Sequence, residues 1–179
     1  MQWNYDGSLL ATINKEKKLS VFDPRALDQA MISEAHAGNK KQSLSWMGSS
    51  NNLITHGWSP YNERQWAIYD PRNLGTPVAM KKLDSNLQQA WIHYDNDSHV
   101  LYVVNKGHTM THMFYVSEGG EPSLQALDTY KGNDNQQGMY FMPKNIVNFM
   151  DNELLRSIRF NGKVAEYITW KVPRKSGSF

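Results

Sequence analysis

The sequence predicts an all-β fold made of four similar units, and three observations support this prediction. Tryptophans recur at Trp3, Trp46 and Trp91, first 43 and then 45 residues apart. An aromatic residue followed by Asp-Pro-Arg occurs twice, at Phe22–Arg25 and at Tyr69–Arg72. The segments between turns are short and rich in β-branched and aromatic side chains, and none keeps a helical apolar period over three turns.

A repeat of about 40 to 45 residues with four antiparallel strands is typical of one blade of a WD40-type β-propeller. The predicted blades are approximately 1–34, 36–83, 85–129 and 137–171. Because neighbouring blades cover both faces of a blade, its central strands can be apolar throughout. A β-sandwich with coincidental spacing is the alternative interpretation.

Four residues occupy positions that WD repeats use for turns and internal hydrogen bonds. Asp6 precedes a glycine in a predicted tight turn, and Asp23 and Asp70 follow the aromatic residue that ends a third strand. His36 precedes the second repeated tryptophan by ten residues, and we expect it to form a hydrogen bond inside its own blade. The proline after Asp23 and Asp70 ends the strand, which explains the recurrence of Asp-Pro-Arg without any partner.

Composition and charge narrow the range of functions. The 179 residues include 19 basic and 17 acidic ones, and the net charge of +2 requires neither a nucleic acid nor a membrane surface as partner. The absence of cysteine excludes disulfides, thiolate metal sites and a cysteine nucleophile. No apolar run approaches the length of about 18 residues that predicts a membrane span.

Two histidine motifs have spacings found in chemical sites, but both favour a structural role. His108 and His112 could hold zinc on a helix, yet their segment is predicted to be a turn that enters a strand. His93-Tyr94-Asp95 lies at a predicted junction between strand and turn. Because no nucleophile with a matching base and no phosphate-binding glycine loop is present, we expect no catalytic residue, metal or cofactor.

Basic residues near turns are the candidate partner-binding residues. They are Lys17, Lys18, Arg25, Arg72, Lys81 and Lys82. Arg25 and Arg72 follow the two aromatic-Asp-Pro landmarks and are therefore equivalent positions on successive blades. Repeats display equivalent residues on one face, so these charges would sum to a positive stripe that speeds and orients docking of an acidic protein. Ordinary solvated loop charges are the alternative.

Several motifs resemble those of one family, the coronins. They are residues 3–12 (WNYDGSLLAT), 17–19, 23–25, 63–65 and 69–71, and the more specific 138–144 (GMYFMPK) and 172–176 (VPRKS). The resemblance runs through essentially the whole chain. It implies a seven-bladed propeller of which this chain would be the last four blades, with residues 172–179 at the start of a C-terminal extension.

The resemblance also implies a function. Coronins bind actin filaments, so we expect a cytoplasmic scaffold of the actin cytoskeleton that acts by surface recognition, with other cytoskeletal proteins as further partners. The alternative is a WD-repeat adaptor, or a truncated remnant, that binds other cytosolic or vesicle proteins without actin. Four blades of seven would leave two apolar faces uncovered, so the chain alone is expected to be marginally stable or to self-associate.

Overall fold

The computed structural model describes residues 1–26, 28, 30–117 and 121–173, and these residues form fifteen β-strands and no α-helix. The strands are β1 (Gln2–Trp3), β2 (Leu10–Ile13), β3 (Lys18–Phe22), β4 (Met31–Glu34), β5 (Ser43–Trp46), β6 (Leu53–Trp58), β7 (Arg64–Tyr69), β8 (Ala79–Asp84), β9 (Ala90–Asp95), β10 (Val100–Asn105), β11 (His108–Ser117), β12 (Ser123–Gln136), β13 (Gly138–Phe141), β14 (Glu153–Phe160) and β15 (Ala165–Lys171). The all-β prediction is confirmed. Most of the predicted C-terminal extension, residues 174–179, lies outside the described residues.

The strands form four sheets, and each sheet is an antiparallel meander of consecutive strands. The sheets are β1–β4, β5–β8, β9–β12 and β13–β15, and together they do not close into a ring. The first three have the four strands predicted for a blade. The fourth sheet differs from the prediction, because it contains three strands among the described residues. Its last strand, β15, therefore borders no further strand of the described chain.

Burial along the central strands shows which sheets have a neighbour on each side. Every residue of β6 and of β10 is buried. In β14, buried and half-buried residues alternate from Glu153 to Arg159. Because successive side chains of a strand point to opposite faces, this alternation means that only one face of the fourth sheet is covered.

Three apolar cores lie between neighbouring sheets and hold them together. Their members include Leu19, Val21 and Leu53 between the first two sheets, Ile54, Ile68 and Val103 between the second and third, and Tyr102, Leu155 and Trp170 between the third and fourth. Burial of one large apolar side chain contributes roughly 1.5–3 kcal/mol. The interfaces between sheets are therefore the main source of stability, as expected for a repeat fold.

The strand register corrects the repeat alignment in the third unit. The aromatic residues that pair with the first leucine of each second strand are Trp3, Trp46 and Tyr94. Tyr94 and Trp46 also both belong to a core between their own sheet and the preceding one. Trp91 lies three residues earlier in β9 and pairs with Val104. The expectation that Trp91 is the third equivalent tryptophan is therefore wrong, although the existence of a third unit is not affected.

Both terminal sheets present exposed apolar side chains on their outer faces. On the first sheet, Trp3 and Ile32 are 51% and 61% exposed. On the fourth sheet, Tyr140, Phe160 and Tyr167 form a group that we call the outer aromatic face, and Tyr167 is 71% exposed. Such patches mark surfaces that pack against another element or another molecule.

Candidate partner-binding surface

The turns of the four sheets lie along two opposite edges. We call the edge with the β2–β3, β4–β5, β6–β7 and β8–β9 connections the Lys17 edge, and the edge with the β1–β2, β3–β4, β5–β6 and β7–β8 connections the Asp-Pro-Arg edge. Hydrogen bonds between sheets join equivalent turns. Asn4 Nδ2 donates to Asn51 Oδ1 at 3.2 Å on the Asp-Pro-Arg edge, and Lys40 Nζ donates to the carbonyl of Leu87 at 3.3 Å on the Lys17 edge, and each pair is 47 residues apart. Equivalent turns of successive sheets are therefore neighbours in space.

The two Asp-Pro-Arg motifs form the same closed turn. Asp23 accepts hydrogen bonds from the backbone N–H and Nε of Arg25, both at 2.9 Å, and from Nη2 at 2.7 Å. Asp70 holds Arg72 in the same way, with distances of 2.9 to 3.0 Å for the three shortest bonds. The hydrogen bond from the Arg25 side chain is the main reason that the pKa of Asp23 falls to about 2, and Arg72 lowers the pKa of Asp70 likewise. Each arginine is thus locally balanced in charge.

Asp6 shapes the turn between β1 and β2 on the same edge. Its Oδ1 accepts hydrogen bonds from the backbone N–H and the hydroxyl of Ser8, at 2.9 and 2.6 Å. These bonds, the hydroxyl bond first, lower the pKa of Asp6. Gly7 supplies the left-handed backbone that the turn requires, with φ at +74°.

His36 lies in the β4–β5 connection, and its ring is buried against the second sheet. Its Nε2 is 2.9 Å from the hydroxyl of Thr55, and this hydroxyl donates to the carbonyl of Ala67 at 3.3 Å, so His36 is the donor to Thr55. Burial is the main cause that lowers the pKa of His36 to about 4, and the ring is neutral at physiological pH. Gly57 makes room for this ring, because a Cβ at that position would lie 2.3 Å from it.

The four predicted lysines are also engaged locally. Lys17 Nζ donates to the carbonyl of Ala37 at 2.6 Å. The other three form ion pairs, Lys18 with Glu16 at 3.7 Å, Lys81 with Glu121 at 2.6 Å and Lys82 with Glu63 at 2.8 Å. Exposed ion pairs of this kind stabilise a fold by at most about 1 kcal/mol. Their main effect is that each glutamate offsets the charge of its lysine.

The structure does not bring the six predicted basic residues together into one stripe. Lys17 and Lys18 lie at the Lys17 edge, whereas the two arginines lie at the opposite edge. Lys81 and Lys82 lie in β8, the last strand of the second sheet. The alternation of turns between two edges in every meander causes this separation, which the turn sequences alone do not reveal.

A cleft at the Lys17 edge is the feature that the sequence analysis missed. It has a volume of about 520 Å³ and is lined by residues 13–15 and 17 of the β2–β3 turn and residues 38–42 before β5. Four lysines line it, Lys15, Lys17, Lys40 and Lys41, and we call it the lysine cleft. The adjacent basic pair Lys40-Lys41 was a signal in the sequence, but only the long-range contact between the two segments makes it part of a site.

The two histidine motifs are parts of the packing. The His93 ring stacks on Phe141 with 4.2 Å between ring centroids, which joins the third sheet to the fourth. His112 Nδ1 lies 2.9 Å from the hydroxyl of Thr129 on the next strand. Within the described ranges, no group of three or more potential ligands is arranged to hold a metal ion.

The described part of the chain contains no helix of sufficient length and apolar character to cross a bilayer.

Known proteins of one family are similar to this chain over nearly its whole length, although no protein-family profile matches it. Coronin-like protein crn1 of Schizosaccharomyces pombe is 33% identical over 181 residues, which cover 100% of this chain and 30% of that protein. Coronin-A of Dictyostelium discoideum is 33% identical over 180 residues, which cover 99% of this chain and 39% of that protein. The crystal structure of the WD40 domain of Toxoplasma gondii coronin superposes with a TM-score of 0.88 at 30% identity, covering 99% of this chain and 46% of that one. The chain thus spans about a third of the length of the two relatives.

Proposed function

Because the chain belongs to the coronin family, we propose that it is part of a WD-repeat scaffold that binds actin filaments by surface recognition. The similarity to coronins along the whole chain carries this proposal. The four packed sheets provide a rigid support whose turns can contact a large partner. The proposed place of action is the cytoplasm, at the actin cytoskeleton, with other cytoskeletal proteins as further partners and no chemical step.

The contact residues that we propose on the Asp-Pro-Arg edge are Arg25 and Arg72. Their side chains are 78% and 87% exposed, although each guanidinium is held by its aspartate. The aspartates fix the direction of these side chains and reduce their net charge. We therefore expect the arginines to contribute orientation and hydrogen bonds more than long-range attraction. We also propose the remaining predicted contacts, because their positive charges can attract an acidic partner. They are Lys17, Lys18, Lys81 and Lys82.

A WD-repeat adaptor that binds other cytosolic or vesicle proteins without actin is the second candidate. One observation favours it: the chain matches only 30–39% of the length of its coronin relatives, so their actin-binding residues can lie in the part that is not matched. Local pairing of five of the six predicted basic residues also weakens the predicted electrostatic stripe.

Co-sedimentation of the purified chain with actin filaments at low and moderate salt tests the first candidate. We expect pelleting only with actin, and less of it at the higher salt, because salt screens exposed charges. The double variant Arg25→Gln, Arg72→Gln should pellet less than the unchanged chain at both salts. A chain that stays in the supernatant at low salt contradicts actin binding and supports the adaptor. An actin-free control detects pelleting by self-association, in which case the assay is repeated after prior sedimentation of aggregates.

A further inference from the structure

The lysine cleft has a concentration of positive charge that the fold does not balance. Within the part of the chain that the structure describes, no carboxylate lies in ion-pair distance of Lys15, Lys17, Lys40 or Lys41. The two nearby carboxylates lie next to Lys18 and not next to these four lysines. The Glu16 carboxylate is 3.7 Å from Lys18 Nζ, and Glu34 is the register partner of Lys18 in the β3–β4 pair.

Backbone geometry and anchored side chains hold the cleft in shape. Lys17 has φ at +66°, and its Nζ is fixed 2.6 Å from the carbonyl of Ala37. Lys40 Nζ lies 4.0 Å from the centroid of the Trp58 ring, a cation–π distance. At the base of the cleft, the Gly38 N–H donates to the carbonyl of Trp58 at 2.7 Å, and a Cβ at Gly38 would lie only 2.4 Å from the Trp58 Cβ. The two cleft segments are therefore fixed against the second sheet.

The remaining two lysines are free to bind. Lys15 and Lys41 are both exposed, on opposite walls of the cleft, and neither side chain takes part in a hydrogen bond or ion pair within the described residues. Four like charges around one cleft repel each other, so an occupant with several negative charges gains from all of them.

The lining chemistry indicates which kind of anion fits. Among the described residues no arginine lines the cleft, so the planar fork that holds a phosphate with two parallel hydrogen bonds is absent from the lining. No aromatic side chain of the described chain lines it either, so the lining offers no platform on which a base of single-stranded nucleic acid could stack. The four lysine ammonium groups are separate point charges, and such charges suit separate carboxylates on an extended chain.

We propose that the lysine cleft is the docking site for an acidic, extended segment of a partner protein. The proposal goes beyond the proposed function, because it concerns any partner that carries several carboxylates in sequence and does not depend on binding to actin. Electrostatic complementarity is the basis of recognition: the lysines bind carboxylates, and the aliphatic stems of the lysines pack on the peptide.

Direct binding of a fluorescent hexaglutamate peptide to the full chain, measured by fluorescence anisotropy, tests this proposal. A hexaglutamine peptide is the uncharged control. The double variant Lys15→Gln, Lys41→Gln removes two positive charges from the cleft, and Lys131→Gln, Lys163→Gln removes two from exposed lysines elsewhere. Within the described part of the chain none of these four side chains forms a hydrogen bond or an ion pair, so all variants should melt at the same temperature.

We expect hexaglutamate to bind saturably and the cleft variant to bind about tenfold more weakly, the factor expected from the loss of two exposed ion pairs. The control variant should change the affinity less than twofold. Equal weakening by both variants would show attraction to net charge and overturn the proposal, as would binding of hexaglutamine with equal affinity. If an oligothymidylate displaces the fluorescent hexaglutamate at a lower concentration than unlabelled hexaglutamate does, the cleft is a nucleic-acid site and the proposal is overturned. None of these outcomes depends on actin.

Discussion

Mild acid should destabilise this chain because two histidines are buried in their neutral form. His36 and His56 are each 1% exposed. Burial is the main cause that lowers their pKa values, to about 4 for His36 and to about 3 for His56, and the charge of Arg64 adds to the effect at His56. In the unfolded chain both have the ordinary histidine pKa near 6.5. Their folded pKa values are lower, so the unfolded state binds protons first as the pH falls.

The size of the effect follows from proton linkage. Stability is unaffected above about pH 6.5 and declines as the pH falls from there toward the folded pKa values. At pH 5 the unfolded state gains about 2 kcal/mol from each histidine, since one pKa unit corresponds to about 1.4 kcal/mol. The two residues together cost about 4 kcal/mol, a large part of the 5–15 kcal/mol that a typical domain has.

Urea unfolding at pH 7.5, 6 and 5 measures this loss, and two leucine variants assign it. Neither ring nitrogen of His56 has a hydrogen-bond partner among the described residues, so His56→Leu should cost less than about 1.5 kcal/mol at pH 7.5 and reduce the loss at pH 5 by about 2 kcal/mol. His36→Leu should reduce the loss equally but cost about 1–3 kcal/mol more at pH 7.5, because it removes the hydrogen bond to Thr55. A free energy of unfolding that is the same at pH 7.5 and pH 5, or a pH dependence that His56→Leu leaves intact, would refute the reasoning.

Three further substitutions test the packing, the buried charge and the outer face. Gly57→Ala places a Cβ 2.3 Å from the His36 ring and should lower the free energy of unfolding in urea by about 1–3 kcal/mol; an unchanged midpoint would mean that the ring moves freely. Arg64→Leu leaves the half-buried carboxylate of Asp84 unpaired and should lower the free energy of unfolding by about 3 kcal/mol in the same assay. Replacing the arginine of an exposed Asp-Pro-Arg pair by leucine should lower it by less than about 1 kcal/mol. Tyr167→Glu in the outer aromatic face should reduce the concentration-dependent association that sedimentation velocity measures. If the chain without this substitution is monomeric at every concentration, the prediction is wrong.

The fold was predictable because local landmarks mark strand ends. Proline and a hydrogen-bonded aspartate end β3 and β7 at Phe22 and Tyr69, and the register places both residues opposite the leucine that begins the preceding strand. The third unit has no such landmark, and its repeat position was assigned to Trp91 from spacing alone. The core holds a large aromatic residue at this register position, and in the third unit that residue is Tyr94. Position in the strand register is therefore better evidence than residue type for deciding which residues of successive repeats are equivalent.

The candidate site was less predictable, since it depends on contacts between segments that are far apart in sequence. The charges of Arg25 and Arg72 were recognised, but whether an aspartate two residues earlier bonds to its arginine is decided by turn geometry. The lysine cleft requires the β2–β3 turn to face the segment before β5, which belongs to the next sheet. Propeller topology predicts that such edges are shared, but it does not predict which loops leave a space between them.

The two electrostatic surfaces can be separated by how binding responds to salt. The arginines are paired with aspartates at 2.7 and 2.9 Å, so little net charge remains at the Asp-Pro-Arg edge, whereas the lysine cleft keeps all of its charge. Screening weakens attraction between net charges more than it weakens short hydrogen bonds. If one partner contacts both edges, the arginine variant should lose affinity and keep its salt dependence. The variant of Lys15 and Lys41, which retains Lys17 and Lys40, should have a weaker salt dependence. The reverse pattern would place the attractive charge on the arginines and would mean that their aspartates release them on binding.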